Sequence, residues 1–247
     1  MPNHIFGADM GEGYGIWKLG DEEGLISHID LAHIACGFHG ADFMIMDEMT
    51  QLAKSKGILI GAHPSLPDRQ GFGRREMAMT PDEFKNCMLY QVGALTAFLK
   101  LYNVELNHIK PHGSAYGMCA RDPALAKVVM EVCKLYNCAF VGMAGTEHDK
   151  AAKAAGVPFI GEYYADRDYT PEGKLIIGRH SPPRTVEQVR EIVTRALTQR
   201  KITTVDGSLI PLADMEQICV CVHSDTPDAV QLALTVRDVV NQVNKSG

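Results

Sequence analysis

The chain has little that would take it out of the cell or onto a nucleic acid. No positively charged segment followed by an apolar stretch opens the sequence, and no later run approaches the roughly 20 apolar residues needed to cross a bilayer. A soluble, cytoplasmic protein with no membrane association is the expectation. The seven cysteines are odd in number and include no C-x-x-C pair, so neither a disulfide framework nor a cysteine zinc site is indicated. Basic residues are not in excess: the formal charge is -6, which disfavours a phosphate-backbone partner because such a partner is held by displacing counterions with Lys and Arg. Low-complexity tracts, tandem repeats and linker-like segments are also missing, so residues 1–247 read as one domain.

What is present is an alternation of short apolar runs with longer helical patterns, the signature of repeated β/α units around a parallel sheet. Strands are expected at residues 5–8, 31–35, 58–62, 108–110, 139–143, 159–164 and 218–222, with 174–177 as a hairpin piece. Seven strands and 247 residues suit an α/β fold of the (β/α) barrel type. Helix starts are marked where an oxygen side chain precedes proline or a capping box: Thr80-Pro81, Asp122-Pro123, Thr226-Pro227 and Thr185 with Gln188. These predict helices over 81–101 and 186–200.

Polar residues gather after the strands. Asp9 and Glu12 follow the first, His39 and Asp42 the second, His63 and Asp68 the third, Lys110 and His112 the fourth; Glu162 and Asp166 lie near the sixth, and His223 with Asp225 end the last. In a barrel all strand C-termini open on one face, so these positions converge on one pocket of proton-transferring, metal-binding or anion-holding groups. Cys36 reads as a small buried residue rather than a nucleophile. Gly71-Phe72-Gly73-Arg74-Arg75 joins turn residues to two guanidinium groups able to grip a carboxylate or phosphate. Gly11-Glu12-Gly13-Tyr14-Gly15 lacks the spacing that brings a lysine onto phosphates.

The motifs Ala8-Asp-Met-Gly-Glu12, Cys36-Gly-Phe-His39, Gly61-Ala-His-Pro-Ser65, Lys110-Pro-His-Gly113 with Tyr116, and Val222-His223 with Asp225 occur in the order of the LamB/YcsF family, which the chain resembles over nearly its whole length. The resemblance implies a seven-stranded (β/α) barrel of the glycoside hydrolase/deacetylase type. It also implies ATP-dependent hydrolysis of 5-oxo-L-proline to L-glutamate, with the B and C subunits of 5-oxoprolinase as partners. Asp9, His39, His63, His112, His223 and Asp225 then form the reaction cluster, while Glu12, Asp42, Asp68, Arg74, Arg75, Lys110 and Tyr116 face the substrate or a phosphate. The family's first strand usually reads Asp-Leu-Asn-Ala-Asp, but here Ile5 and Gly7 stand at its first and third positions, so a different lactam is a second expectation. A self-sufficient metal-dependent deacetylase or amidohydrolase, with a divalent metal on the histidines, and a non-catalytic binding subunit are the competing readings.

Overall fold

A computed structural model describes residues 3–178 and 183–246; the end residues of the expected 1–247 unit lie outside these. Seven parallel strands close into a barrel: β1 (Ile5–Met10), β2 (Leu31–Ala35), β3 (Leu59–His63), β4 (His108–Ile109), β5 (Ala139–Gly142), β6 (Phe159–Tyr164) and, after a small hairpin of β7 (Lys201–Thr203) with β8 (Leu209–Pro211), β9 (Ile218–His223) beside β1. The helices α1 (Glu22–Ile26), α2 (Phe43–Ser55), α3 (Pro81–Leu101), α4 (Gly113–Arg121), α5 (Pro123–Leu135), α6 (Glu147–Ala155), α7 (Val186–Gln199) and α8 (Ala229–Ser246) supply the connections. No described helix is long and apolar enough to cross a membrane.

The strands form because β-rich runs are buried on both faces, as crossover helices require of a parallel sheet. Their outward residues, among them Phe6, Ala8, Ile34, Ile60 and Val220, join the large core under the helices. Leu31, Val141 and Cys219, with Ile5 and Ile160 against them, form a separate apolar plug inside the barrel. Above that plug the interior turns polar, and two glycines make the room. A Cβ on Gly7 would sit 2.6 Å from His33 Nε2, and one on Gly61 would sit 2.0 Å from His108 Nε2. The two imidazoles occupy that space and meet at 2.7 Å. Gly7, one of the family departures, is thus where the chain exchanges a side chain on β1 for a histidine on β2. Gly61→Ala should displace the His108 ring and cost about 1–3 kcal/mol by overpacking; a thermal transition unchanged from wild type would refute this packing.

The helix starts follow the expected chemistry at three sites. Thr80 and Thr185 each close a capping box at the head of α3 and α7, and Asp122 caps α5 ahead of Pro123. Thr226-Pro227 differs: α8 begins only at Ala229, because the Thr226 hydroxyl is used on the Asp166 carboxylate instead of on the helix. Residues 174–177 form no barrel strand; a turn closed by Thr170 N–H on Lys174 O leads to a single antiparallel bridge between Tyr169 and Leu175. The β7–β8 hairpin has no counterpart among the expected strands. Its signal is Asp206-Gly207, with Gly207 at φ +83, flanked by short β-prone runs.

Candidate active site

Every strand that contributes chemistry does so at its C-terminal end. β1 carries Asp9, β3 ends in His63, β4 leads into Lys110 and His112, β6 carries Glu162 and Tyr164, and β9 ends in His223. All of these residues are buried. At their centre the Lys110 ammonium lies 2.8 Å from Asp9 Oδ1 and 3.0 Å from Glu162 Oε1, with Cys221 Sγ at 3.2 Å. Burial pushes the Lys110 pKa down, but Asp9, Cys221 and Glu162 outweigh it and hold the amine charged, well above the usual lysine range. Burial likewise pushes the Asp9 carboxyl up, and the neighbouring His63, Lys110 and His223 overcome it, so Asp9 is ionised well below the usual carboxylate range.

The other Asp9 oxygen is shared by two histidines, His63 Nε2 at 3.1 Å and His223 Nε2 at 3.4 Å. Each ring is oriented from its far side. His63 Nδ1 lies 2.7 Å from the Lys110 carbonyl, which only an N–H can satisfy, so the bare nitrogen of the neutral ring is the one facing Asp9. His223 Nδ1 donates to Asp166, 3.0 and 3.1 Å from its two oxygens, and Asp166 also accepts from the His223 backbone N–H and the Thr226 hydroxyl. Burial raises the Asp166 carboxyl, yet His223, Arg167 and Thr226 outweigh it and hold it well below the ordinary value. A depressed folded-state pKa adds stability above about pH 4 that disappears as the pH falls toward the depressed value. Denaturant titrations should therefore show the wild type losing more stability between about pH 5 and pH 3 than Asp166→Asn does; equal losses would remove Asp166 from the acid limb.

A second group adjoins the first. Glu12 Oε1 lies 2.9 Å from His39 Nε2 and 3.1 Å from His112 Nδ1, and His112 Nδ1 lies 2.9 Å from His63 Nε2. His112 Nε2–H donates to Phe72 O at 2.8 Å. Burial lowers the pKa of His112, and burial with the His112 charge pushes His39 down to about 4, so His39 is neutral. The loop over this group is fixed by Asp68, which receives Gly71 N–H and the Arg75 guanidinium. Gly73, at φ +64, passes so close that a Cβ would meet Ser65 Oγ at 2.1 Å and His112 Cδ2 at 2.9 Å, which makes glycine necessary there.

Of the residues expected from the sequence, the fold brings Asp9, Glu12, His39, His63, Lys110, His112 and His223 into this one buried network. Tyr116 lines the cavity beside it, as do Arg74 and Arg167, whose guanidinium groups pair with the two oxygens of Asp225 at 2.8 and 3.0 Å. Asp42, Asp68 and Arg75 stand outside. Asp42 caps α2 and also accepts from Gly15 N–H, while Asp68 and Arg75 are paired with each other to hold the loop. Glu162 and Asp166, expected in the pocket from their place near the sixth strand, join the site, and so do Arg167 and Tyr164, which the strand-end pattern does not include. Glu162 and Asp166 are visible there as acids near the sixth strand; that they reach inward depends on the alternation of β6 and on the bend after it. Cys36 is buried, its thiol pushed up to about 12 by that burial, which is unsuited to a nucleophile.

The cavity at Asp9, His63 and His223 is small, about 30 Å³, and adjoins a larger one of about 760 Å³ that shares Arg74, Tyr116, Leu175 and Ile177 as lining. A site of this kind at the carboxyl ends of barrel strands is where enzymes of such folds do their chemistry.

Residues 6–246 match the LamB/YcsF family. The chain belongs to that family. Among LamB/YcsF relatives, the lactam utilization protein lamB of Emericella nidulans is 43% identical over 98% of this chain and 95% of its own length. The A subunit of 5-oxoprolinase from Methylococcus capsulatus is also 43% identical, over 93% of this chain and 89% of its own. The crystal structure of the lactam utilization protein from Thermus thermophilus superposes with a TM-score of 0.86 at 33% identity, covering 98% of this chain and 97% of that one. The expected seven-stranded α/β barrel and LamB/YcsF membership are thus both found.

Proposed function

We propose that this chain is the hydrolytic subunit of an assembly that opens a lactam ring, with 5-oxo-L-proline as substrate, L-glutamate as product and ATP as co-substrate. The names of its relatives support the reaction class, and one observation carries it to these residues: an ionised Asp9 held between Lys110 and the two imidazoles of His63 and His223 at the inner end of the cavity.

An amide resists water because its carbonyl carbon is a poor electrophile and its nitrogen a poor leaving group. Asp9 presents a carboxylate oxygen to the cavity beside His63, so it is placed to take the proton from an attacking water. His223, oriented by Asp166, lies 3.4 Å from the same Asp9 oxygen and serves to pass the proton taken from water to the departing ring nitrogen. Arg74 and Arg167 form the cationic wall against which the substrate carboxylate is set, each kept in place by Asp225. Lys110 keeps Asp9 ionised and is a positioning residue.

Neither the Gly11–Gly15 stretch nor Lys110 suits a triphosphate. The Gly11–Gly15 stretch runs into a two-residue bridge between Tyr14 and Trp17 and carries no lysine, and Lys110 is fully engaged. We therefore assign the nucleotide to partners resembling the B and C subunits of 5-oxoprolinase, whose step would make the ring carbonyl a better electrophile.

The purified chain, its candidate partners and ATP should be assayed for glutamate release from 5-oxoproline beside a panel of other lactams. Turnover of 5-oxoproline only in the complete mixture is the expected result. Turnover of another lactam in its place, a reading favoured by Gly7 and the His33 that fills its space, would keep the chemistry and reject the substrate; turnover of neither would reject both.

A further inference from the structure

We infer that His63, His112 and Glu12 form a site for one divalent cation of the zinc class, with Asp9 facing its open position and His39 orienting Glu12 from outside. The donor chemistry comes first. His63 Nδ1 and His112 Nε2 both lie against backbone carbonyls, Lys110 O at 2.7 Å and Phe72 O at 2.8 Å, so both carry hydrogen. The remaining nitrogens, His63 Nε2 and His112 Nδ1, are then bare in the neutral rings, yet they face each other at 2.9 Å. Two carboxylate oxygens join them, Asp9 Oδ2 at 3.1 Å from His63 and Glu12 Oε1 at 3.1 Å from His112. Three acceptor atoms within 3.9 Å of one another, with the Asp9 oxygen beside one of them, need a cation between them.

Geometry and charge agree with this. The triangle of His63 Nε2, His112 Nδ1 and Glu12 Oε1 has edges of 2.9, 3.1 and 3.9 Å. These bracket the edge of about 3.3 Å that a tetrahedral ion with bonds of about 2.0–2.1 Å demands. The His63 and His112 rings stand at 89° to each other, so both lone pairs can meet one ion in the plane of each ring. His39 is different: its ring stacks on His112 at 3.7 Å and 6°, which leaves an ion bound by His112 out of the His39 plane. Its Nε2–H instead orients Glu12 at 2.9 Å, an outer contact of the kind that fixes metal ligands. Glu12 Oε2 is buried without any hydrogen-bond partner. Asp9 and Glu162 share one ammonium, that of Lys110, while Glu12 faces imidazoles. Asp225, by contrast, is matched by both Arg74 and Arg167.

The test needs no substrate, so it stands or falls separately from the proposed reaction. The full chain, stripped with a chelator, is titrated with Zn²⁺ and with Co²⁺, following bound metal by mass spectrometry and the visible Co²⁺ spectrum. About one equivalent of each should bind, the Co²⁺ band should have the intensity of a tetrahedral site, and His112→Gln and Glu12→Gln should weaken binding about a hundredfold or more. His39→Gln keeps an amide donor for Glu12 and should weaken it by about tenfold or less. Circular dichroism checks each fold, and Glu12→Gln alone decides if His112→Gln does not fold. No binding of either ion by the folded wild type, or equal binding by the folded ligand variants, would overturn the site.

Discussion

Replacing Asp9 with asparagine should lower ring opening by about a hundredfold or more while leaving the barrel folded. The substitution keeps the side chain's shape and its reach to Lys110, and removes only the charge that His63 and His223 share at 3.1 and 3.4 Å. If Asp9 takes part in proton transfer, kcat falls and the thermal transition stays close to that of wild type, because Glu162 still partners the lysine at 3.0 Å. Steady-state kinetics of the assembled enzyme, with calorimetry on the same preparation, separate the two. Near-normal kcat would remove Asp9 from the reaction and leave it a structural anion.

Lys110→Met should do the opposite in one respect: it damages stability as well as turnover. Lys110 is 2% exposed and is the cation between Asp9 and Glu162. Removing one partner of a buried ion pair leaves uncompensated charge, at a cost of about 3–5 kcal/mol. For a chain of this length that lowers the melting temperature on the order of 10 °C. Activity falls too, since Asp9 loses a charge that keeps it ionised. A variant as stable as wild type would show that the two carboxyl groups do not rely on this ammonium.

The barrel is legible in the sequence because its evidence is local and repeated: each apolar run followed by polar residues marks a strand and its C-terminal end, and seven of them suffice to close the sheet. The histidines are legible for the same reason. Direction is not. Asp42 and His39 both follow β2, yet one caps a helix and the other reaches Glu12, a difference set by the turn at Gly37 and Gly40. Arg74 and Arg75 are neighbours in a fixed loop, so their side chains diverge, the first toward Asp225 and the cavity and the second back to Asp68. Thr226 has the pattern of a helix cap and serves an acid 60 residues away. His33 and His108 carry no motif, and their place inside the barrel follows from glycines on the neighbouring strands.

The most direct measurement is where the substrate sits. Side-chain ¹⁵N spectra of the histidines, assigned through single His→Gln variants, should be recorded on the complete assembly without ATP as 5-oxoproline is added. The resonances of His63, His112 and His223 are predicted to move, while that of His4, which accepts from the backbone amide of Ile218 at the opposite end of the barrel, stays in place. Saturable binding that leaves all three mouth histidines unmoved would contradict the account.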